Sequence, residues 1–547
     1  MYNRNLQLFL LLLIMLIVFV VNNGALDANI MEARNLTTAR EMLRNNNWLE
    51  PTMNGELRLE KPPLPTWISA VMMLISGEEN LSLLRLPAAL AAMLLVFFLF
   101  KLTAELTRDR IIPFLAAGTA ATSFYIFFMA RDMSWDIFCH SFMIGAIWQI
   151  HKGLKSKGSG WPELISAGLL MGLSFLSKGP ISFYALLLPY LIARTITFGW
   201  KDAATRKSAL GVMILITLVI SFWWPIMIWV SHPEFSAAIA QKESYAWLNR
   251  NVRPLYHYWS FPVQSGVWAI IAAITLFFPY ARPRINRFGN YNFLAGWVVA
   301  AVILLSLFPE KKERYLLPVL LPLAMLTGFY FRYLIYTFTT HVIGKTDLIL
   351  FRFNVLLMTL ISLIIPVGVI VLIPAKERPG IASIILIFCS FWSISILLIA
   401  ALRRKNPLWL WGGMAGMVLA LCLFLLPLAP KFAITNPAYR PYQELRDRTD
   451  LKNVPFFFSG ETHGKFIEVI WNTGHGIREW NPETDQQLPV NPPLIFLSNE
   501  EPLKVLPAEI RNNYPIEVIG YFDTNMGKNK ENQVLANYVT LIGVRIN

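Results

Sequence analysis

Two stretches of this 547-residue chain carry residue types that do chemistry while lying against very apolar sequence. The first runs from Met53 to Trp67 and holds four charges (Glu56, Arg58, Glu60, Lys61) and three prolines (Pro62, Pro63, Pro65). Consecutive prolines hold the backbone extended and push the preceding residue out of helical geometry, so the Lys61 ammonium sits on a stiff corner. An anion-binding lysine beside lipid is the functional reading; a charged turn capping the next helix is the plainer one. The second stretch is Ala130–Asp136, in which Arg131 stands beside two carboxylates four residues apart. In a helix that spacing places Asp132 and Asp136 on one face. Asp132 reads equally as an ordinary helix-start residue. Asp136 lies deeper in the apolar run, where an ionisable group is costly and usually serves a site or a pathway.

Further charged residues fall at the ends of apolar runs. Lys178 closes Leu176-Ser177-Lys178-Gly179-Pro180, and Glu310, Lys311, Lys312, Glu313, Arg314 and Tyr315 precede another run. A single lysine at a span end commonly snorkels to the headgroups, whereas several on one face form a basic pocket for a phosphate group. Segment 232–263 mixes Glu243, Tyr245, Arg250, Arg253, His257 and Tyr258, which suits an interfacial aromatic belt as well as a sugar site. His257 reads as a hydrogen-bonded histidine rather than a metal ligand. Asp27, Glu32 and Arg34 join Glu60 and Lys61 in the first polar loop.

The elements that must position these groups are membrane spans. The chain is 55% hydrophobic, 13% aromatic and 15% charged, with mean hydropathy +0.48, a composition that marks a polytopic membrane protein. Its net charge of +14 comes from short basic clusters between apolar runs, which argues against a nucleic-acid partner. Cys139, Cys389 and Cys422 lie inside apolar segments and give neither a disulfide framework nor zinc-ligand spacing. Runs long enough to cross a bilayer fall near 6–23, 83–106, 111–130, 135–151, 162–177, 180–198, 208–231, 264–281, 292–308, 314–336, 353–374, 380–402 and 407–428, thirteen expected spans. The first is read as uncleaved, since no small-residue cleavage site follows it.

With the N-terminus inside, one set of loops collects Arg108, Arg110, Lys152, Lys155, Lys157, Lys201, Arg206 and Lys207, and later Arg282, Arg284, Arg287, Arg403 and Arg404. The opposite short loops are poorer in lysine and arginine, so segments 24–82 and 232–263 and the tail are expected outside the cytoplasm. Segment 24–82 should contain an amphipathic helix around Glu32–Met42, with Leu36, Ala39 and Leu43 on one face, and a second helix from Leu64 to Ile75. The tail 429–547 alternates apolar runs at Val454–Phe458, Leu494–Leu497, Ile516–Tyr521 and Tyr538–Arg545 with helical stretches at Glu461–Asn472 and Leu503–Asn512, a small soluble α/β domain. Gly474-His475-Gly476 is a turn signal, and no phosphate-loop or dinucleotide fingerprint is present.

Ala33-Arg34, Ala39-Arg40-Glu41-Met42, Trp48-Leu49-Glu50-Pro51, Asn54-Gly55, Glu60-Lys61-Pro62-Pro63-Leu64 with Trp67, and Leu84-Arg85-Leu86-Pro87 follow one another at set spacing. This series resembles the first outer loop of the aminoarabinose transferase family, which stands with the protein O-mannosyltransferases in the C-type glycosyltransferase superfamily. Asp136, Lys178-Gly179, Trp224-Pro225 and Tyr315-Leu316-Leu317-Pro318 with Pro322 extend the resemblance over most of residues 25–330. One departure stands out. The family usually carries an acidic pair where this chain has Met31-Glu32, so its first-loop catalytic aspartate falls on Met31, which accepts no proton. Asp27, one helical turn earlier, and Glu32 are the neighbouring carboxylates.

The resemblance implies a multi-pass GT-C fold of residues 1–428 in a bacterial inner membrane, with site and C-terminal domain facing the periplasm. It implies transfer, in one inverting step, of a sugar from a polyprenyl (undecaprenyl) phosphate donor to lipid A, another envelope glycolipid, or protein. Lys61, Arg131, Lys178, Lys311 and Arg314 would stabilise the leaving phosphate. Asp136, then Asp27 or Glu32, would take the proton of an attacking hydroxyl. Glu60, Arg34, Tyr315, Glu243 and His257 would line the substrate. No cofactor is required by this reading, and a divalent metal stays open. The rival from another class is a polyprenyl-lipid transporter, against which stand the lack of internal repeats and the gathering of charge at span ends.

Overall fold

The computed structural model describes residues 3–460, 466–485, 487–527 and 532–544. The chain divides into two units. One comprises Met1–Ala25, Leu59–Pro65 and Asn80–Pro427, and the other Leu26–Arg58, Thr66–Glu79 and Leu428–Asn547.

The first unit is a helical bundle around helix Leu317–Thr339, in which every residue from Leu317 to Phe331 is buried. A helix apolar on all sides belongs at the centre of a bundle. Helix runs through each of the thirteen expected stretches. Among the described residues, seven helical segments are long and apolar enough to cross a membrane: Leu81–Leu106, Lys207–Ser231, Leu255–Leu276, Glu313–Thr339, Lys345–Leu372, Ile381–Arg403 and Pro407–Ala433. The runs at 162–177 and 180–198 are separate elements. Helix Trp161–Lys178 ends at Gly179, whose φ of +71° and following Pro180 break the chain direction before the next helical turns at Phe183. Gly168 and Gly172 let helix Lys207–Ser231 approach closely: a Cβ on Gly168 would stand 2.7 Å from the Met213 carbonyl oxygen, and one on Gly172 would stand 2.5 Å from Ile220.

Buried polar groups in the bundle are paired across helices. Trp268 donates to Thr122 at 3.0 Å and Trp411 to Thr119 at 3.1 Å. At the far end of the central helix from Tyr315, buried Asp347 gathers three donors: the Tyr280 hydroxyl (2.5 Å) and Arg284 Nε (2.8 Å) on Oδ1, and the Tyr333 hydroxyl (2.8 Å) on Oδ2. The Arg284 guanidinium stacks 3.7 Å over the Tyr280 ring. This one carboxylate therefore ties helices Phe278–Ile285, Leu317–Thr339 and Lys345–Leu372 together.

The second unit combines helix Ile30–Arg44, helix Leu64–Ser76 from Thr66 onward and a mixed sheet. Asn29 caps the first helix by accepting from the backbone N–H groups of Met31 and Glu32. Leu36 and Ala39 are fully buried on it, while Leu43 is only partly so. Asn54 and Gly55, both at positive φ, close a hairpin between β1 (Thr52–Met53) and β2 (Glu56–Leu57), the turn that Asn-Gly favours. The sheet holds β3 (Phe456–Phe458), β4 (Ile477–Glu479), β5 (Leu494–Ser498), β6 (Ile516–Asp523) and β7 (Ala536–Ile542) in the order β4-β3-β5-β7-β6. β3 runs parallel to β4 and β5, and β7 antiparallel to β5 and β6. Each expected apolar run holds a strand, although β7 stops at Ile542 short of the expected end and Arg545 lies outside the described residues; β4, with exposed Arg478 and Glu479, lacks an apolar signal of its own. Of the expected helix 461–472, residues 461–465 lie outside the described residues, and the remainder is helix Ile467–Thr473. The expected helix 503–512 is broken in two by Leu506-Pro507, since proline cannot continue the first piece. Gly474 ends helix Ile467–Thr473 in the left-handed conformation.

His475 stacks on Phe456 with ring centroids 4.3 Å apart. Burial first, then the charges of Arg40, Arg44 and Arg446, push its pKa down to about 4 from 6.5.

Two stability predictions follow from these contacts. Asp347→Ala is expected to cost about 3 kcal/mol, because Arg284 then keeps a charge without its partner; thermal unfolding of detergent-solubilised protein measures this, and an unchanged midpoint refutes the role of the carboxylate. His475 binds a proton more readily unfolded than folded, so its contribution to stability is complete above about pH 6.5 and lost as pH falls toward 4. His475→Gln should therefore flatten the pH dependence of unfolding across that window, and an unaltered slope counts against it.

Candidate active site

Asp136 is the first residue of helix Asp136–Lys155, and Lys178 the last of helix Trp161–Lys178. These helices pack against each other, which brings a carboxylate at a positive helix end to an ammonium at a negative one. The Lys178 ammonium donates to Asp136 Oδ1 in a close, almost fully buried ion pair. Asp136 Oδ2 is buried with no hydrogen-bond partner among the described residues. The helix begins only at Asp136, so Asp132 lies in the preceding turn and does not share a helical face with it. Met133 to Trp135 interpose non-helical backbone, and the spacing of four loses its helical meaning.

The same ammonium lies 5.7 Å over the Tyr315 ring, and Lys312 Nζ also stands 5.7 Å from that ring. Tyr315 donates its hydroxyl to Glu310 Oε2 at 3.2 Å. Glu310 Oε1 is paired with Lys312 at 2.5 Å and with Arg250 at 3.5 Å. Arg314 acts electrostatically on both Asp136 and Lys178, and its Nε is buried without a hydrogen-bond partner among the described residues. Asp136, Lys178, Tyr315 and Arg314 thus form one cluster, joined by Glu310, Lys312 and Arg250.

Segment Phe308–Leu316 is held by the region before it in sequence. Glu310 N–H donates to the Trp247 carbonyl (3.2 Å), Lys311 N–H to Asn251 (3.1 Å), and Lys312 N–H to the Tyr258 hydroxyl (2.9 Å). His257 Nε2 lies 3.2 Å from Glu313 Oε1, and Gln264 donates to Glu313 Oε2 at 3.1 Å. The Lys311 ammonium donates to the Phe308 carbonyl at 2.6 Å, and burial lowers its pKa.

The Glu60-Lys61 corner makes two reciprocal ion pairs with helix Pro233–Asn249. Lys61 meets Glu243 at 3.3 Å and Lys242 meets Glu60 at 3.3 Å, so each dipeptide supplies one charge of each sign. Arg131 points elsewhere: its Nε and Nη2 donate to the Val18 carbonyl (3.0 and 2.7 Å) and Nη2 also to Val21 (2.7 Å), where the first helix ends. Burial lowers its pKa to about 10. Asp27, Glu32 and Arg34 belong to the second unit. There Asp27 accepts from the Tyr439 hydroxyl at 3.3 Å, Glu32 is fully buried, and the Arg34 carbonyl accepts from Arg58 at 3.2 Å.

His140 escaped the reading of the sequence. It lies one turn beyond Asp136 on the same helix, is buried, and its Nδ1 has no hydrogen-bond partner among the described residues. The Asp-x-x-x-His spacing was the available signal. Among the described residues no group of three or more His, Cys, Asp or Glu side chains is placed to hold a metal ion.

Residues 60–229 match the family profile described as dolichyl-phosphate-mannose-protein mannosyltransferase. Over 466 residues the chain is 24% identical to undecaprenyl phosphate-alpha-4-amino-4-deoxy-L-arabinose arabinosyl transferase 2 of Proteus mirabilis, covering 80% of this chain and 78% of that protein. It is 26% identical over 307 residues to the corresponding transferase 1 of Pseudomonas fluorescens, a match spanning about half of each chain, 54% and 54%. The fold is that of ArnT from Cupriavidus metallidurans, solved bound to undecaprenyl phosphate: TM-score 0.68 at 16% identity, with 98% of this chain and 97% of that one covered. The chain is accordingly a multi-pass helical membrane protein that shares the fold of ArnT and is similar in sequence to the aminoarabinose transferases.

Proposed function

We propose that this protein transfers a sugar from an undecaprenyl phosphate-linked donor to an envelope glycolipid of the lipid A type. The observation that carries this reading is the buried Asp136–Lys178 pair with Tyr315, Arg314 and Lys312 around it, in a chain whose relatives are arabinosyl transferases of that donor. We place the reaction at the periplasmic face of the inner membrane, with thirteen spans, residues 1–428 as the membrane module and 429–547 as a soluble α/β domain outside it. The distribution of lysine and arginine among the loops supports this topology.

In this mechanism an acceptor oxygen attacks the anomeric carbon with inversion. The bond from that carbon to the donor phosphate breaks, and undecaprenyl phosphate leaves with the electron pair. Lys178 and Arg314 stabilise the charge that develops on the phosphate, and Lys61, released from Glu243, adds to it. Asp136 has two roles to divide between its oxygens: Oδ1 fixes Lys178, and Oδ2 faces the proton of an acceptor hydroxyl. An acceptor phosphate oxygen is already ionised near neutral pH and needs positioning only. Asp27 and Glu32 are the alternative bases. Tyr315 and Glu310 hold the ammonium groups in place, while Glu60, Arg34, Glu243 and His257 are assigned to the substrate path. Arg131 and Lys311, engaged with backbone carbonyls, act by holding the helix ends on which the cluster stands. A protein acceptor is the second reading, favoured by the description of the matching family profile.

Asp136→Asn and Lys178→Met are each expected to lower transfer from an undecaprenyl phosphate sugar by about 10²–10³-fold. Each leaves a buried charge or dipole unmatched, so the double variant is the control: stability should return toward wild type while transfer stays lost. Double-variant protein with wild-type turnover eliminates the assignment. Mass spectrometry of lipid A and of envelope glycoproteins from a deletion strain should show the missing modification on lipid A. Its absence only from glycoproteins selects the protein acceptor, and lipid flipping without any glycosyl product selects a transporter.

A further inference from the structure

The second unit contains a cavity of about 620 Å³ that the transfer reaction does not call on. Arg40, Arg44, Arg446, Arg448 and Lys452 line it. Glu78, Glu79 and Asp447 face them, and Arg448 is bidentate to Asp450 (3.1 and 2.5 Å), so five positive charges stand against four negative ones. Two of the guanidiniums lie on the faces of one indole: Arg40 is 5.4 Å and Arg446 5.1 Å from the Trp471 ring. Both donate to the Trp471 carbonyl, and Arg40 also to Ile470 at 2.9 Å. Arg44 is bidentate to Glu78 (3.3 and 2.6 Å) and reaches the Gly474 carbonyl at 3.2 Å.

A short helix end needs one cationic donor; here three converge on it and repel one another. Burial, with Arg44 and Arg446 adding to it, lowers the Arg40 pKa to about 9. Arg446 Nε remains buried with no hydrogen-bond partner among the described residues. Bringing cations together at this cost is offset when an anion sits among them, and guanidinium forks match phosphate geometry. The cavity is much larger than one phosphate and falls in the size range of sites for small organic ligands. Its carboxylates, with Thr449 and Asn453 on the wall, suit the hydroxyl groups of a sugar.

We propose that this cavity is a binding site for a phosphorylated saccharide, its phosphate among the arginines and its hydroxyls on the carboxylate side. The site stands independently of the transfer mechanism and of the roles given to Asp136 and Lys178.

Isothermal titration of the full-length protein in detergent tests it with three probes: N-acetylglucosamine 1-phosphate, inorganic phosphate and uncharged N-acetylglucosamine. The sugar phosphate should bind, about tenfold more tightly than inorganic phosphate, and the uncharged sugar should not. Arg446→Gln should weaken the sugar phosphate by about tenfold. Since that substitution also removes a helix contact, Lys452→Glu on the exposed rim is the second variant, with a similar loss and an unchanged fold. Absence of sugar phosphate binding to the wild type overturns the site. Equal binding of inorganic phosphate overturns the saccharide assignment, and wild-type affinity in Lys452→Glu overturns the placement in this cavity.

Discussion

The ion pair between Asp136 and Lys178 is the constraint on which the candidate site is built. Both residues are buried where water does not solvate them, so neither charge is tolerable alone, and each commits the helix it terminates to the other's position. The pair works because the helices pack side by side with the start of one beside the finish of the other, the carboxylate at a helix start and the ammonium at a helix finish, so both backbone dipoles add to the attraction. Gly179 and Pro180 then turn the chain away immediately after Lys178, which keeps that helix from continuing past its partner.

From this pair the charge spreads outward through aromatic and carboxylate contacts. Tyr315 lies near two ammonium groups, offering its ring to both and its hydroxyl to Glu310. Glu310 in turn balances Lys312 and Arg250. The result is an excess of cations held at defined positions, the arrangement on which the proposed stabilisation of a leaving phosphate rests. The backbone carbonyls of Trp247 and Asn251 and the hydroxyl of Tyr258 keep Phe308–Leu316 in register, and the reciprocal pairs at Glu60-Lys61 anchor the first polar loop to helix Pro233–Asn249.

The second unit obeys different physics. Its core is a mixed sheet packed through Phe457, Trp480, Leu494, Phe496 and Ile542, and it takes in helix Ile30–Arg44 from the first polar loop as well as the tail. Arginines there serve the C-terminal carbonyls of helix Ile467–Thr473, a role for cations that the bundle also uses where Arg131 meets the end of the first helix.

Composition and periodicity were enough to define the helical class, the apolar runs and most strands of the tail, because burial in lipid or in a sheet demands long apolar stretches whatever the partners are, while the family resemblance rested on motifs such as Glu60-Lys61-Pro62-Pro63. They also singled out Asp136, Lys178, Arg314 and Tyr315 as charged or polar residues at span ends. The hairpin at Asn54-Gly55 was written in the chain but was passed over, as was His140 one turn from Asp136. What only the tertiary structure decided is who partners whom. Lys61 with Glu243, Glu310 with Lys312 and Arg250, and Arg131 with the first helix join residues far apart in sequence, and Asp132 lost its expected alignment because the helix starts four residues later. Burial patterns repeat along a chain and can be read from it, whereas an ion pair depends on where two helix ends meet in space, which no local pattern encodes.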